Sequence, residues 1–380
     1  MPSIYVDHAA TTPMSPAAFK AISSQMQVLG NPSSLHTHGR STRKSLEDAR
    51  EAIARQVNCL PSEVIFTASG TEANNIALKG LFWQGKAQGK NIVVISAIEH
   101  HAILDPAQWL ADHEGAQLIT VDVTADGVID LNSLEKIINK HRNEIAVISV
   151  MHANNETGTL QPISEVVALA GQIPVHTDAV QSFKKTPLSF ADLGVYAMTL
   201  SAHKIGGPLG IGALILRRAV EIPALLHGGG QEREIRSGTL NAPSIVAFAA
   251  AAEDNYPRES VIALRDEFIS IVEKLFPDVI VNGKNAERLP GIVNITFPGT
   301  QSDTLLLLLD SAQVSASTGS ACSAGVHEAS HVLLAMGHTE ESAQSSLRFS
   351  FGSTSTKADL DFIVSVLPDV IMRGRAANLK

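Results

Sequence analysis

Lys204 lies in Ser201-Ala202-His203-Lys204-Ile205-Gly206-Gly207-Pro208, directly after the apolar run Ala197–Leu200. An amine held in a tight Gly-Gly-Pro turn at a strand end can condense with a carbonyl. Taken alone, such a residue reads as a surface lysine in a loop. Asp178, in His176-Thr177-Asp178-Ala179-Val180-Gln181, closes another apolar run. Its carboxylate could keep a pyridine nitrogen protonated, although a capping aspartate looks the same. Ser69-Gly70-Thr71 joins a third run to a helical stretch. Free backbone N–H groups and the helix dipole suit a phosphate there, with a hydroxyl from Thr71; an ordinary N-cap is the plain alternative. A histidine in Glu99-His100-His101-Ala102 can lie on a ring and exchange protons near neutral pH. An Asn side chain in His152-Ala153-Asn154-Asn155-Glu156-Thr157-Gly158 could bond a phenolic oxygen, or be part of a polar turn. An amine, a carboxylate, a phosphate cradle and a ring-facing imidazole are what pyridoxal phosphate needs, with the Schiff base on Lys204. The His-His pair also suggests a metal, but no further His or Cys follows at ligand spacing, so no metal site is expected.

These residues must be carried by strand ends. Short β-branched runs recur at Val64–Thr67, Ile92–Ser96, Gln117–Val121, Ile145–Met151, Val175–Thr177, Ala197–Leu200 and Ile211–Leu216. Helical stretches at Thr71–Trp83, Ala102–His113, Leu131–His141 and Ile163–Ala170 alternate with them. The alternation predicts an α/β fold with a mainly parallel sheet and helices on both faces, and ligands beyond the carboxyl ends of the strands. After residue 240 the alternation weakens. Helices are expected at Ser45–Val57, Ser244–Glu253, Val261–Leu275 and Asp303–Asp310, and strands at Gly291–Phe297 and Leu347–Phe351. The expected division is a large domain over 15–255 and a smaller α+β domain made of 1–14 with 256–380.

Composition sets the limits. The chain has 380 residues, 44% hydrophobic and 18% charged, which suits a water-soluble protein with a sizeable core. A net charge of -9 argues against nonspecific nucleic-acid or anionic-membrane binding, so no nucleic-acid or membrane partner is expected. The apolar run Leu305–Leu309 is far too short to span a bilayer. The first residues lack the basic and apolar regions of a signal peptide. The two cysteines, Cys59 and Cys322, do not form a disulfide framework, and a reducing, cytoplasmic setting is expected.

Further segments extend the pattern over nearly the whole chain: Tyr5–Pro13, Gly30-Asn31-Pro32-Ser33-Ser34, Gly228–Leu240, Ser317–Cys322 and Ser346–Gly352. Together with those above, in this order, they resemble the class V aminotransferase family, and within it the cysteine desulfurases of the iron–sulfur-cluster and nitrogen-fixation type. The resemblance implies the pyridoxal-phosphate fold type I. It places Lys204 on the cofactor, Asp178 at the pyridine nitrogen, and Gln181 and Asn155 on the ring-oxygen side. His100 stacks on the ring and serves as acid or base. Gly70, Thr71, Ser201 and His203 hold the phosphate. Thr239 reaches the phosphate of a partner subunit, which implies a homodimer, and Arg348 with Asn31 clamps the substrate carboxylate.

Cys322 has only small neighbours in Ser320-Ala321-Cys322-Ser323-Ala324-Gly325, a segment that reads as a mobile loop. By resemblance it is the nucleophile that takes sulfur from L-cysteine as a persulfide, releases L-alanine and passes the sulfur to an acceptor protein. Cluster scaffold, tRNA-thiolation enzyme and DNA-modifying machinery stay open as acceptors. Another class V reaction, transamination or selenocysteine cleavage, is the alternative. Cys59 reads as filler near a helix end. His8, Leu209 and Ala329 depart from the family's usual residues without touching this chemistry.

Overall fold

A computed structural model describes residues 3–319 and 329–378. Seven strands form the main sheet: β1 (Val64–Thr67), β2 (Ile92–Ser96), β3 (Gln117–Val121), β4 (Ile145–Ser149), β5 (Val175–Asp178), β6 (Ala197–Ser201) and β7 (Gly212–Leu216). Their spatial order is β1-β7-β6-β5-β4-β2-β3. All neighbours are parallel except β7, which runs antiparallel to both β6 and β1.

Both sheet faces are covered, and β2 shows why its sequence is continuously apolar. Ile92 and Val94 point into one core, Val93 and Ile95 into the other. A strand buried on both faces needs no polar alternation. The first core also takes the helices Thr37–Gln56, Leu131–His141, Ile163–Ala170 and Ala242–Glu253, through Ile53, Leu134, Val166 and Phe248. The second takes Gly70–Lys86 and His101–Glu114, through Ile76, Phe82, Ile103 and Leu110.

A third core lies under an antiparallel three-stranded sheet of Ser346–Ser350, Ile292–Thr296 and Ile280–Asn282. Phe268, Phe297, Leu305, Phe349 and Leu367 fill it, and Val6 joins them from the N-terminal segment. Ile4–Tyr5 also pairs in parallel with Val314–Ser315. Among the described residues no helix is long and apolar enough to cross a membrane.

Boundaries depart from the sequence reading at several elements, as two cases show. The helix expected at Ser45 starts at Thr37, capped by His36, whose Nδ1 accepts from the Gly39 N–H at 3.3 Å. Its first two turns, Thr-His-Gly-Arg-Ser-Thr-Arg-Lys, carry no aliphatic stripe, so hydrophobic periodicity is silent there. The strand read as Ile145–Met151 ends at Ser149, and Val150 and Met151 begin the loop into the site.

Candidate active site

The carboxyl ends of β1, β5 and β6, with the loops after β2 and β4, surround a cavity of about 410 Å³. β1 turns at once into the helix Gly70–Lys86, with Ser69 as N-cap accepting from the Glu72 N–H at 3.0 Å. Gly70 and Thr71 therefore present the first, unpaired N–H groups of a long helix to the cavity. This close junction depends on glycine. A Cβ on Gly212, the first residue of β7, would lie 2.7 Å from the Ser69 carbonyl carbon and 2.8 Å from the Leu200 oxygen. Ser201 and His203, at and just past the end of β6, also line the cavity.

Asp178 closes β5 and is buried. Its Oδ1 accepts from the Val180 N–H at 2.9 Å, and its Oδ2 from the Asn74 amide at 2.6 Å. Among the described residues no cationic side chain lies within ion-pairing distance of it. A rigid buried carboxylate without a counter-ion is matched by a ligand N–H that carries positive charge. Asn74 is a site residue that sequence reasoning missed. Its position four residues after Gly70 puts it on the same helix face, a signal that could have found it.

Lys204 follows β6 in a turn closed by the Ile205 and Gly207 N–H groups, both donating to the Ala202 oxygen. Its Nζ donates to the carbonyls of Ala9 (2.6 Å) and Ala10 (2.7 Å). Burial, then the nearby Arg348, pulls its pKa down to about 8, while Asp7 and Asp178 pull the other way. A lysine that sheds its proton near pH 8, well below the usual range, is a better nucleophile and proton carrier than a free amine.

His100 caps the helix His101–Glu114, its Nδ1 accepting from the Ala102 N–H at 3.0 Å. That bond leaves the proton of the neutral ring on Nε2. Burial lowers its pKa, against the raising effect of Asp178. His203, 3.3 Å from the Thr11 hydroxyl, is driven to about 4 by burial and the two nearby lysines, Lys204 and Lys185. Gln181 lines the cavity while its Nε2 donates to Ala9 at 2.9 Å.

Arg348, on the small sheet, reaches across to the same cavity. It donates to the Asn155 carbonyl at 2.8 Å and to Asp7 Oδ1 at 2.7 Å, and its Nε is buried without a partner. Asp7 thus anchors the guanidinium across 341 residues of chain, which no local pattern signals. The loop holding Asn155 is organised by its neighbour: Asn154 Oδ1 accepts from the Glu156 and Thr157 N–H groups. Glu156 is fully buried, its carboxyl pushed above the usual range by burial, and it accepts from Ser330 at 2.5 Å.

The structure therefore brings Gly70, Thr71, His100, Asn155, Asp178, Gln181, Ser201, His203, Lys204 and Arg348 to one cavity. Asn31 and Thr239 do not line it; both are exposed, and the Asn31 side chain accepts from the Ser33 N–H at 2.9 Å. Cys322 lies outside the described residues, but Gly319, three residues before it, lines the cavity. Cys59 is half-buried, with its thiol pushed up to about 12 by burial. Among the described residues no group of three or more His, Cys, Asp or Glu could hold a metal ion.

The donor set fits pyridoxal phosphate: an amine for the carbonyl, a buried carboxylate without a counter-ion for the ring nitrogen, and a helix N-terminus with two hydroxyls for the phosphate. The chain is similar to known proteins over nearly its whole length. The profile of the family described as Aminotransferase class-V matches residues 4–363. An IscS-like cysteine desulfurase of Mycobacterium tuberculosis is 46% identical, over 99% of this chain and 98% of that protein. Among solved structures, a NifS-like protein superposes with a TM-score of 0.88 at 31% identity, covering 98% of this chain and 100% of the other. SspA in complex with cysteine gives 0.83 at 33% identity, over 93% and 100%.

Proposed function

Because the chain belongs to the class-V aminotransferase family, we propose that it is a pyridoxal-phosphate-dependent cysteine desulfurase, which turns L-cysteine into L-alanine and holds the sulfur on Cys322 for an acceptor protein. The observation that carries this reading is the convergence of Lys204, Asp178 and the Gly70–Thr71 helix start on one cavity that Arg348 also enters. When bound, the cofactor supplies an electron sink joined to the substrate amine. Lys204, Asp178, Asn155, Gln181, His100, Gly70, Thr71, Ser201 and His203 would hold it.

The chain's own residues do the rest. Arg348, oriented by Asp7 and by the Asn155 carbonyl, keeps N–H groups in hand for the substrate carboxylate. Lys204 Nζ takes the substrate's Cα proton and returns protons to the carbon skeleton. His100 Nε2 exchanges a proton on the same cavity. The Cys322 thiolate attacks the substrate sulfur. An S–S bond forms as the substrate's Cβ–S bond breaks, and that bond's electron pair stays with the carbon fragment, which is protonated and leaves as alanine. Three residues of chain separate Cys322 from the cavity-lining Gly319, a tether of at most about 11 Å.

Exposed Thr239 suits contact with the phosphate of a second copy, so the working unit is a homodimer. A cytoplasmic setting and sulfur delivery to iron–sulfur-cluster assembly or tRNA thiolation complete the reading. The three cores support a division into 15–255 and 1–14 with 256–380.

The test is alanine and sulfide release from L-cysteine with thiol present. Cys322→Ser should stay yellow and lose turnover. Desulfuration by that variant at the native rate would refute the role of Cys322. Keto-acid-dependent amino transfer without sulfur release would point to another class V reaction.

A further inference from the structure

Close to Lys204 lies a second amine. Lys185 is 7% exposed, and its Nζ contacts Gln181 Oε1 at 3.3 Å. Among the described residues no carboxylate lies within ion-pairing distance of it. A cavity of about 30 Å³ is lined by both amines together with His8, Thr12, Tyr256 and Ser353, room for about one water. An unpaired ammonium so placed is costly, and burial, then Lys204 and Arg348, brings its pKa down to about 7. Of the other groups that face it, His8 is held at about 4 by burial and by Lys185 itself, and burial keeps the Tyr256 phenol protonated.

Gln181 links this amine to the site. An amide has one oxygen and two N–H groups. The Gln181 oxygen accepts from Lys185, and one N–H goes to the Ala9 carbonyl at 2.9 Å, the same carbonyl that accepts from Lys204 Nζ at 2.6 Å. A flipped amide would set its oxygen against the Ala9 oxygen, acceptor against acceptor. With these positions taken, what remains to the cofactor cavity that Gln181 lines is its second N–H.

We propose that Lys185 is a positioning residue of the reaction: it locks the Gln181 amide so that an N–H, and not the carbonyl, faces the cavity beside Lys204 and favours an anionic oxygen on its occupant. The proposal rests on reading the cavity as a pyridoxal-phosphate site. A hydrogen bond to the charged form of a group favours that form. Removing the lock therefore makes the bound cofactor keep its proton to higher pH.

The experiment is a pH titration of the visible absorption band of bound pyridoxal phosphate, without substrate, between about pH 6 and 9.5. It compares the native chain with Lys185→Met, Lys185→Arg, Gln181→Leu and the double variant Lys185→Met/Gln181→Leu. Lys185→Met should raise the midpoint by about one unit. Lys185→Arg, which keeps a donor, should leave it at or below the native value. In the Gln181→Leu background Lys185→Met should shift nothing further, because a residue acting through Gln181 is not additive with it. An unchanged midpoint in Lys185→Met, or an equal shift with and without Gln181, overturns the proposal. Should Lys185→Met not fold, Gln181→Glu carries the test: it can still accept from Lys185 but has no amide N–H, and a midpoint no higher than native overturns the proposal. A native chain that binds no pyridoxal phosphate overturns both this proposal and the cofactor reading. A bound cofactor with a midpoint indifferent to Lys185 overturns this one alone.

Discussion

Replacing Lys204 by Met tests the electrostatics of the site in the cofactor-free protein. The buried ammonium has its pKa drawn from 10.5 down to about 8. At about 1.4 kcal/mol per pH unit, holding the charge in the folded state costs about 3 kcal/mol. The folded pKa lies below the unfolded one, so the cost is full below about pH 8, where both states are charged. It fades as pH rises through the window from about 8 to 10.5, where the folded chain has shed the proton and the unfolded chain has not. The Met side chain has nearly the same length and carries no charge. In urea unfolding, Lys204→Met should therefore gain about 3 kcal/mol on the native chain at about pH 7, and lose that gain by about pH 10.5. The change with pH is the prediction, since loss of the bonds to the Ala9 and Ala10 carbonyls adds an offset that does not vary with pH in that way. A difference flat across the window, or a variant whose relative stability rises with pH, would refute the reasoning.

Other perturbations reach different parts of the structure. Arg348→Lys removes the fork that bonds Asp7 and the Asn155 carbonyl together; steady-state kinetics should show KM for L-cysteine raised about 10- to 100-fold, an energy of about 1.4–2.8 kcal/mol. Gly212→Ala drives a methyl group into backbone at Ser69 and Leu200; it should lower stability by about 1–3 kcal/mol and weaken pyridoxal-phosphate binding, measured by melting and by cofactor titration. Glu232→Ala strips both bonds to Arg50 from a buried ion pair that also holds the Phe66 N–H; a loss of about 3–5 kcal/mol is expected in chemical denaturation. Burial holds the Glu99 carboxyl well above its ordinary range, so its charge destabilises the fold increasingly as pH rises past the unfolded value; Glu99→Gln should gain on the native chain from acid to alkaline pH in thermal melts.

Most of the residues gathered in the cavity lie at or just past strand ends, which is why so much of the candidate site could be read from sequence. A strand that stops and the turn after it are local events, so Asp178 after Val175–Thr177 and Lys204 after Ala197–Leu200 announce themselves. The Ser69-Gly70-Thr71 junction is equally local, since a helix start is made by the residues within one turn of it. Fold class was legible for the same reason: runs buried on both faces, such as Ile92–Ser96, are apolar without alternation. Sequence could not foresee the polar first turns of Thr37–Gln56, because a helix held by its cap and by the buried face of its later turns needs no apolar stripe at its start.

Tertiary structure alone decided how the groups condition one another. Arg348 owes its orientation to Asp7, Asp178 its grip to Asn74, and Gln181 its facing to Lys185 and the Ala9 carbonyl. The depressed pKa of Lys204 comes from burial and from an arginine on the other sheet. Hydrogen bonds and desolvation depend on distance through space, and residues such as Asp7 and Arg348, 341 positions apart, become neighbours only when the N-terminal segment pairs beside Ser350 on the small sheet.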